Sequence, residues 1–238
     1  MCRLCVKPTR REFCAGAMVA PLALGTPRDG LLEPSLRLEP SGLTPGRIAV
    51  TLDACPGHFD PRVATALVNL RIPATIFITA LWMEWNRDGL AYFLSHPNIF
   101  HLENHGALHL PPVLGNQRVY GLKVAGSLPV IRAEVLDGAA AVRAATGKQP
   151  SWYRGAAGLY SPETIPFIEG LGFKIAGYSL NSDEGASLPA AITAKRLAAA
   201  RDGDVTEGHI NQPLRASGAG IAEGLAKLKA EGMQFTTL

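Results

Sequence analysis

The chain has 238 residues, 47% of them hydrophobic and 18% charged, which excludes a disordered or collagen-like polymer and allows one sizeable core. Arg3, Lys7, Arg10 and Arg11 against Glu12 account for the whole formal net charge of +3. The remainder is formally neutral, so no basic face for nucleic acid is expected.

Residues 1–25 read as a targeting peptide. A basic stretch ends in Arg10-Arg11-Glu12-Phe13, and a mildly apolar run, Ala15 to Leu24, follows. That run is shorter than the ~20 apolar residues a membrane-spanning helix needs. Paired arginines ahead of such a run resemble a twin-arginine signal. The expectation is export to the periplasm, with no membrane span in the mature protein. Cys2, Cys5 and Cys14 lie in this segment and only Cys55 lies beyond it, so no disulfide framework is available.

Residues 26–47 read as an N-terminal arm, because Pro27, Pro34, Pro40 and Pro45 interrupt regular structure. From Ile48 the pattern alternates. Short apolar or β-branched runs predict strands at Ile48–Asp53, Ala74–Thr79, Ile99–Asn104, Ser151–Arg154, Lys174–Leu180, Asp204–His209 and Gln234–Leu238. Helical stretches lie between them. Asp60 and Pro61 suit the cap and first position of a helix whose face carries Val63, Leu67 and Leu70. Ile131, Val135, Ala139 and Val142 make a second face, ended by Gly147. Ser161-Pro162-Glu163 starts a third helix, which Pro166 should kink. Leu188 to Arg201 is Ala-rich and helical, and Ile221, Leu225 and Leu228 mark the last helix. Strand-helix alternation implies parallel pairing with right-handed crossovers. The expected fold is α/β, an irregular (β/α) barrel of about seven parallel strands.

Reactive groups in such barrels sit beyond the C-terminal ends of strands. Asp53 ends an apolar strand, where a buried carboxylate must be paired or functional. His105 and His109 follow the third strand four residues apart; on one helical turn they would share a side and grip one metal ion. Arg154 ends the fourth strand, Asp183 follows the fifth and His209 ends the sixth, with Asn211 and Gln212 just beyond it. Each has an ordinary structural explanation, a cap, a buried pair or a satisfied core histidine. Their collection on one rim does not.

The ordered set resembles the NodB-type polysaccharide deacetylases, carbohydrate esterase family 4. Thr51-Leu52-Asp53 is similar to the start of that family's Thr-Phe-Asp-Asp-Gly motif. His105-Gly106-Ala107-Leu108-His109 is similar in spacing to its His-Ser/Thr-x-x-His motif, and Arg154 to Gly158 keep the Arg and Gly of its Arg-x-Pro-x-Gly motif, with Gly155, Ala156 and Ala157 in place of its proline and aromatic positions. Asp183 falls in the region of the fourth motif and His209 in that of the fifth. The resemblance runs from Ile48 to the C-terminus and implies that 48–238 is one catalytic domain.

What the resemblance implies is removal of acetyl groups from an acetylated carbohydrate by a metal-dependent hydrolase. A divalent ion, zinc by default, would be held by His105, His109 and Asp53. Asp53 would be the base, Arg154 its orienting partner and His209 the acid, with Asp183 aligning the imidazole. A backbone N–H near Ala157 would receive the oxyanion. Asn211 and Gln212, from position alone, are candidates for sugar hydroxyls.

One departure stands out: the family's second aspartate, usually a metal ligand, is Ala54 here. Asp53, His58, Asp60 or water are candidates to fill the place. Cys55 also offers a thiol, though a lone cysteine reads more readily as a small apolar residue. Two other functions stay open, a glycan-binding protein without catalysis and a hydrolase of another carbon–nitrogen bond.

Overall fold

The computed structural model describes residues 23–24 and 30–238. The targeting segment expected at 1–25 lies outside the described residues, apart from Ala23–Leu24, which pair antiparallel with Pro34–Ser35. Among the described residues no helix is long and apolar enough to cross a membrane.

Eight strands among the described residues form one sheet: β1 (Arg47–Ala54), β2 (Ala74–Ile78), β3 (Phe100–Asn104), β4 (Trp152–Tyr153), β5 (Lys174–Ile175), β6 (Leu180–Asn181), β7 (Val205–Glu207) and β8 (Gln234–Thr236). The spatial order is β6-β7-β1-β2-β3-β4-β5, with β8 also on β1, and all these pairings are parallel. The sheet curls into a half-barrel. Helices α1 (Pro61–Leu70), α2 (Ala80–Trp85), α3 (Arg87–Leu94), α4 (Leu128–Thr146), α5 (Thr164–Gly170), α6 (Ala190–Ala198) and α7 (Ser217–Ala230) connect the strands.

β1 is the central strand and is buried along nearly its whole length. That explains its continuous apolar run, since a parallel strand covered on both faces has no polar side. Its even residues, Ile48, Val50, Leu52 and Ala54, share one core with Val63 and Leu67 of α1 and Ile221, Leu225 and Leu228 of α7. Fully burying each leucine there contributes about 1.5–3 kcal/mol. Side chains alternate along a strand, so Thr51, Asp53 and Cys55 point the other way, toward the barrel's mouth.

Asp60 caps α1 by accepting from the Arg62 N–H at 3.0 Å, and Arg71 closes the helix in the left-handed conformation. Asp60 also forms a salt bridge with the Arg62 guanidinium at 2.6 Å, so this carboxylate is engaged in the helix start and is not a free ligand.

Four features differ from the sequence expectation. The predicted strand Lys174–Leu180 is two strands, because the N-terminal arm crosses between them. Tyr178 N–H donates to Pro34 O and Leu36 N–H to Tyr178 O, both at 3.4 Å. A Cβ on Gly177 would meet Pro34 O at 2.2 Å. The arm is therefore part of the barrel, with Leu36 and Leu38 buried. It covers sheet edges that would otherwise expose unpaired backbone. Pro166 does not kink α5, since it is the third helical residue, where the N–H has no intrahelical partner. Helices α2 and α3 were not expected. They are short and carry an aromatic cluster in which Trp82 and Phe93 stack at 5.5 Å. Last, His105 and His109 lie in a loop and not on a helical turn, with Gly106 and His109 at φ +89° and +65°.

Candidate active site

The mouth of the half-barrel opens into a cleft of about 1060 Å³ whose lining includes Asp53, Cys55, His109, Arg154, Ala157 and His209. That is at the upper end of small-ligand sites.

Asp53 and Arg154 form its floor. The Arg154 Nη1–H donates to Asp53 Oδ1 at 2.8 Å, its Nε–H to Ala176 O at 3.2 Å and its Nη2–H to Gly177 O at 3.1 Å. The guanidinium also lies 4.2 Å from the centre of the Phe77 ring. A buried guanidinium is tolerable only with its donors satisfied in this way. Burial raises the Asp53 pKa, but the charges of Arg154, His105 and His209 outweigh it and hold the carboxyl below its ordinary value.

Two histidines come from the loop after β3. Helix α4 shapes that loop. Glu134 accepts from the N–H groups of Leu108 and Leu110 at 3.0 Å, and its own carbonyl accepts from Ala107 N–H. Asn104 accepts from Gly106 N–H at 2.9 Å and donates to Val135 O at 2.8 Å. Gly138 of α4 leaves room for the loop's backbone; a Cβ there would meet Gly106 C at 2.5 Å.

The two rings lie 5.0 Å apart, centre to centre. His105 Nδ1 is 2.7 Å from Arg154 O. A carbonyl only accepts, so Nδ1 carries the proton and Nε2 is turned toward Cys55 and Asp53, which line the cleft. Nε2 lies 3.3 Å from Cys55 Sγ and 3.7 Å from Asp53 Oδ2. His109 Nε2 is buried and has no hydrogen-bond partner in the protein.

Cys55 thus stands closer to His105 Nε2 than Asp53, the expected third ligand, does. Cys55 Sγ and one ring nitrogen from each histidine lie within 4.8 Å of one another. Asp53 instead groups with Cys55 and His209. Burial lowers the His105 pKa, but the charges of Asp53 and Cys55 raise it further, to about 9. Burial raises the Cys55 thiol, and His109 and His105 outweigh this and bring it well below its ordinary value. The anionic neighbours thus favour a proton on His105, and a proton and a metal ion compete for such a nitrogen.

His209 sits across the cleft. Its Nδ1 lies 2.9 Å from Asp183 Oδ1, and Asp183 also accepts from the backbone N–H groups of His209 at 2.9 Å and Ala186 at 3.1 Å. Burial lowers the His209 pKa, but the charges of Asp183 and Glu207 raise it well above the ordinary value. Glu207, a residue the sequence reading missed, stands 3.3 Å from the same Nδ1. Burial pushes its carboxyl up, His209 opposes this and Asp183 adds to it, leaving a pKa of about 8. The available signal was β-strand alternation, which puts Glu207 and His209 on one face, and Asp53 and Cys55 likewise.

The expected contacts to substrate all line the cleft. Ala157 lines the cleft at φ +64°, in a turn braced by Gly155 N–H donating to the Tyr160 hydroxyl at 2.6 Å. Gln212 lines it too. Asn211 lines it as well: its Nδ2–H donates to Cys55 O at 2.9 Å and so clamps the loop after β1, while its Oδ1 has no hydrogen-bond partner in the protein.

The family model described as Polysaccharide deacetylase matches residues 42–176, more than half of the chain. No curated protein matches. Among solved structures, the peptidoglycan deacetylase PdaC from Bacillus subtilis is 18% identical, with a TM-score of 0.66 over 81% of this chain and 88% of its own. A family 4 carbohydrate esterase from Streptomyces lividans in complex with acetate is 16% identical, with a TM-score of 0.64 over 81% of this chain and 92% of that one. A pseudoenzyme of the same esterase family, from Bacillus anthracis, is 16% identical, with a TM-score of 0.63 over 87% of this chain and 73% of that one. At such identities the likeness is one of fold.

Proposed function

Because this chain belongs to the polysaccharide deacetylase family, we propose that it is a metal-dependent hydrolase that removes acetyl groups from an acetylated carbohydrate. The observation that carries this reading is the convergence on one cleft of a paired carboxylate, two histidines with nitrogens turned inward, and a carboxylate-aligned third histidine.

The donor set fits a divalent ion. His109 Nε2 is buried without a protein partner, and His105 Nε2 is turned inward by the hydrogen bond its other nitrogen makes to Arg154 O. Metal-ligating imidazoles are characteristically oriented by such second contacts. His105 and His109 would hold the ion, which when bound supplies Lewis-acid polarisation of the acetyl carbonyl and of water.

The chain's own groups perform the remaining steps. Asp53 takes a proton from the attacking water, and Arg154 keeps that carboxylate ionised and aimed at the cleft. The backbone N–H near Ala157 donates to the oxygen that gains negative charge. His209 holds a proton at Nε2, since Nδ1 is directed at Asp183, and delivers it to the departing amine or alcohol. Gln212 and Asn211, both on the cleft wall, are the candidates for sugar hydroxyls. Export through a twin-arginine signal belongs to the same reading, supported by Arg10-Arg11-Glu12-Phe13 ahead of Ala15–Leu24.

The test is release of acetate from acetylated oligosaccharides. Asp53→Asn and His209→Ala should each lower turnover by about 10²–10⁴-fold. The His209→Ala loss should shrink with an aryl acetate, whose leaving group needs no proton. Equal losses on both substrates would remove His209 as the acid. A second reading, a glycan-binding protein without catalysis, is favoured by one observation, the methyl group of Ala54 at the usual ligand position. Glycan binding with no acetate release from metal-loaded protein would establish it.

A further inference from the structure

We infer that Cys55 supplies the third protein ligand of the metal, so that the site is Cys-His-His, with a thiolate taking the place of the missing carboxylate. The inference rests on the metal-dependent reading above and concerns this chain's own substitution within it.

Strand geometry makes the exchange. Ala54 belongs to β1 and packs in the core with Ile48, Val50 and Leu52, on the helix side of the sheet. The next residue points to the opposite side, as alternation requires. That residue is Cys55, whose Sγ lines the cleft beside Asp53. Asn211 fixes its backbone by donating to Cys55 O at 2.9 Å.

Distances agree with a shared ion. Ligands about 2.3 Å (sulfur) and 2.0 Å (imidazole) from a tetrahedral zinc lie about 3.5 Å apart. Cys55 Sγ and His105 Nε2 are 3.3 Å apart, and the ligand atoms of Cys55, His105 and His109 all lie within 4.8 Å of one another. His109 Nε2, buried and unpartnered, is a second and independent sign that something is bound here. Asp60 is held by Arg62, and Asp53 gives Oδ1 to Arg154 while its Oδ2 lies 3.7 Å from His105 Nε2, farther than Cys55 Sγ at 3.3 Å. Three protein ligands leave a fourth position open to water or substrate, the arrangement of catalytic zinc sites. A thiolate also biases the site toward zinc and against magnesium or manganese.

Cobalt(II), added to metal-free protein, reads the ligand directly. Wild type should bind one equivalent and show a thiolate-to-cobalt charge-transfer absorption in the near ultraviolet. Cys55→Ser should lose that band and bind cobalt more weakly, by more than the ~10–100-fold that outer-shell partners cost. Cys55→Asp should lose the band but recover most of the affinity, which guards against a variant that merely misfolds; circular dichroism checks each fold. Cobalt bound at full strength without the band overturns the thiolate and leaves the metal-dependent reading standing. A band that persists in Cys55→Ser overturns the assignment as well. Failure of wild type to bind cobalt overturns both.

Discussion

The Nδ1–H of His105 donates to the carbonyl oxygen of Arg154 at 2.7 Å, while the guanidinium of Arg154 donates to Asp53 at 2.8 Å. One residue thereby positions both an imidazole of the proposed metal site, through its backbone, and the proposed base, through its side chain. The end of β1 and the loops after β3 and β4 are tied together at Arg154, and changes there should affect stability and chemistry at once.

Arg154→Ala leaves Asp53 buried without its partner and frees the carbonyls of Ala176 and Gly177. Removing one member of a buried ion pair costs about 3–5 kcal/mol. Arg154→Lys keeps the charge but offers one ammonium where a fork serves three acceptors. The expected order of denaturant midpoints is wild type, Lys, Ala, with both variants well below wild type in turnover. An unchanged midpoint in Arg154→Ala would contradict the role given to this residue.

Glu207 makes stability depend on pH. Its folded carboxyl holds a proton up to about pH 8, against an ordinary value of 4.5. Between those values the unfolded chain binds fewer protons than the folded one, so stability falls as pH rises. His209, raised well above its ordinary value, acts in the same direction: its contribution is complete below the ordinary histidine value and is lost as pH rises through the folded one. Glu207→Gln removes one of the two titrations. Thermal midpoints of chelated protein, measured across this window, should fall less steeply in the variant. Identical slopes would mean that Glu207 is ionised in the folded state.

Gly138 tests the coupling between α4 and the histidine loop. Alanine is the better helix former by about 1 kcal/mol. Here, however, its Cβ would meet Asn104 Oδ1 at 2.4 Å and Gly106 C at 2.5 Å. Overpacking of this kind costs about 1–3 kcal/mol. Gly138→Ala should therefore lower the denaturant midpoint and weaken zinc binding together. A more stable protein with unchanged metal affinity would show that the loop is not set by this contact.

The alternation of strand and helix was legible because parallel strands covered on both faces leave continuous apolar runs, as in Ile48–Leu52. The positions of Asp53, His105, Arg154, Asp183 and His209 were legible because each follows or ends such a run. What escaped was side-chain direction. Cys55 reads as a small apolar residue until the alternation of β1 turns it toward the cleft, and Glu207 reads as an ordinary strand-end charge until it is seen beside His209. The loop conformation of His105–His109 depends on Glu134 and Gly138, some 30 positions away in the chain, and the spacing of the histidines carries no trace of them. The arm's place against Gly177 was hidden for a similar reason, since prolines report where helices stop and not what an extended segment covers.

The most direct test of the central claim is acetate release from an acetylated oligosaccharide before chelation, after it, and after zinc is restored, in wild type and His105→Ala. Release by wild type should vanish with the metal and return with zinc, and His105→Ala should stay inactive throughout. Undiminished release from fully metal-free wild type would contradict the account.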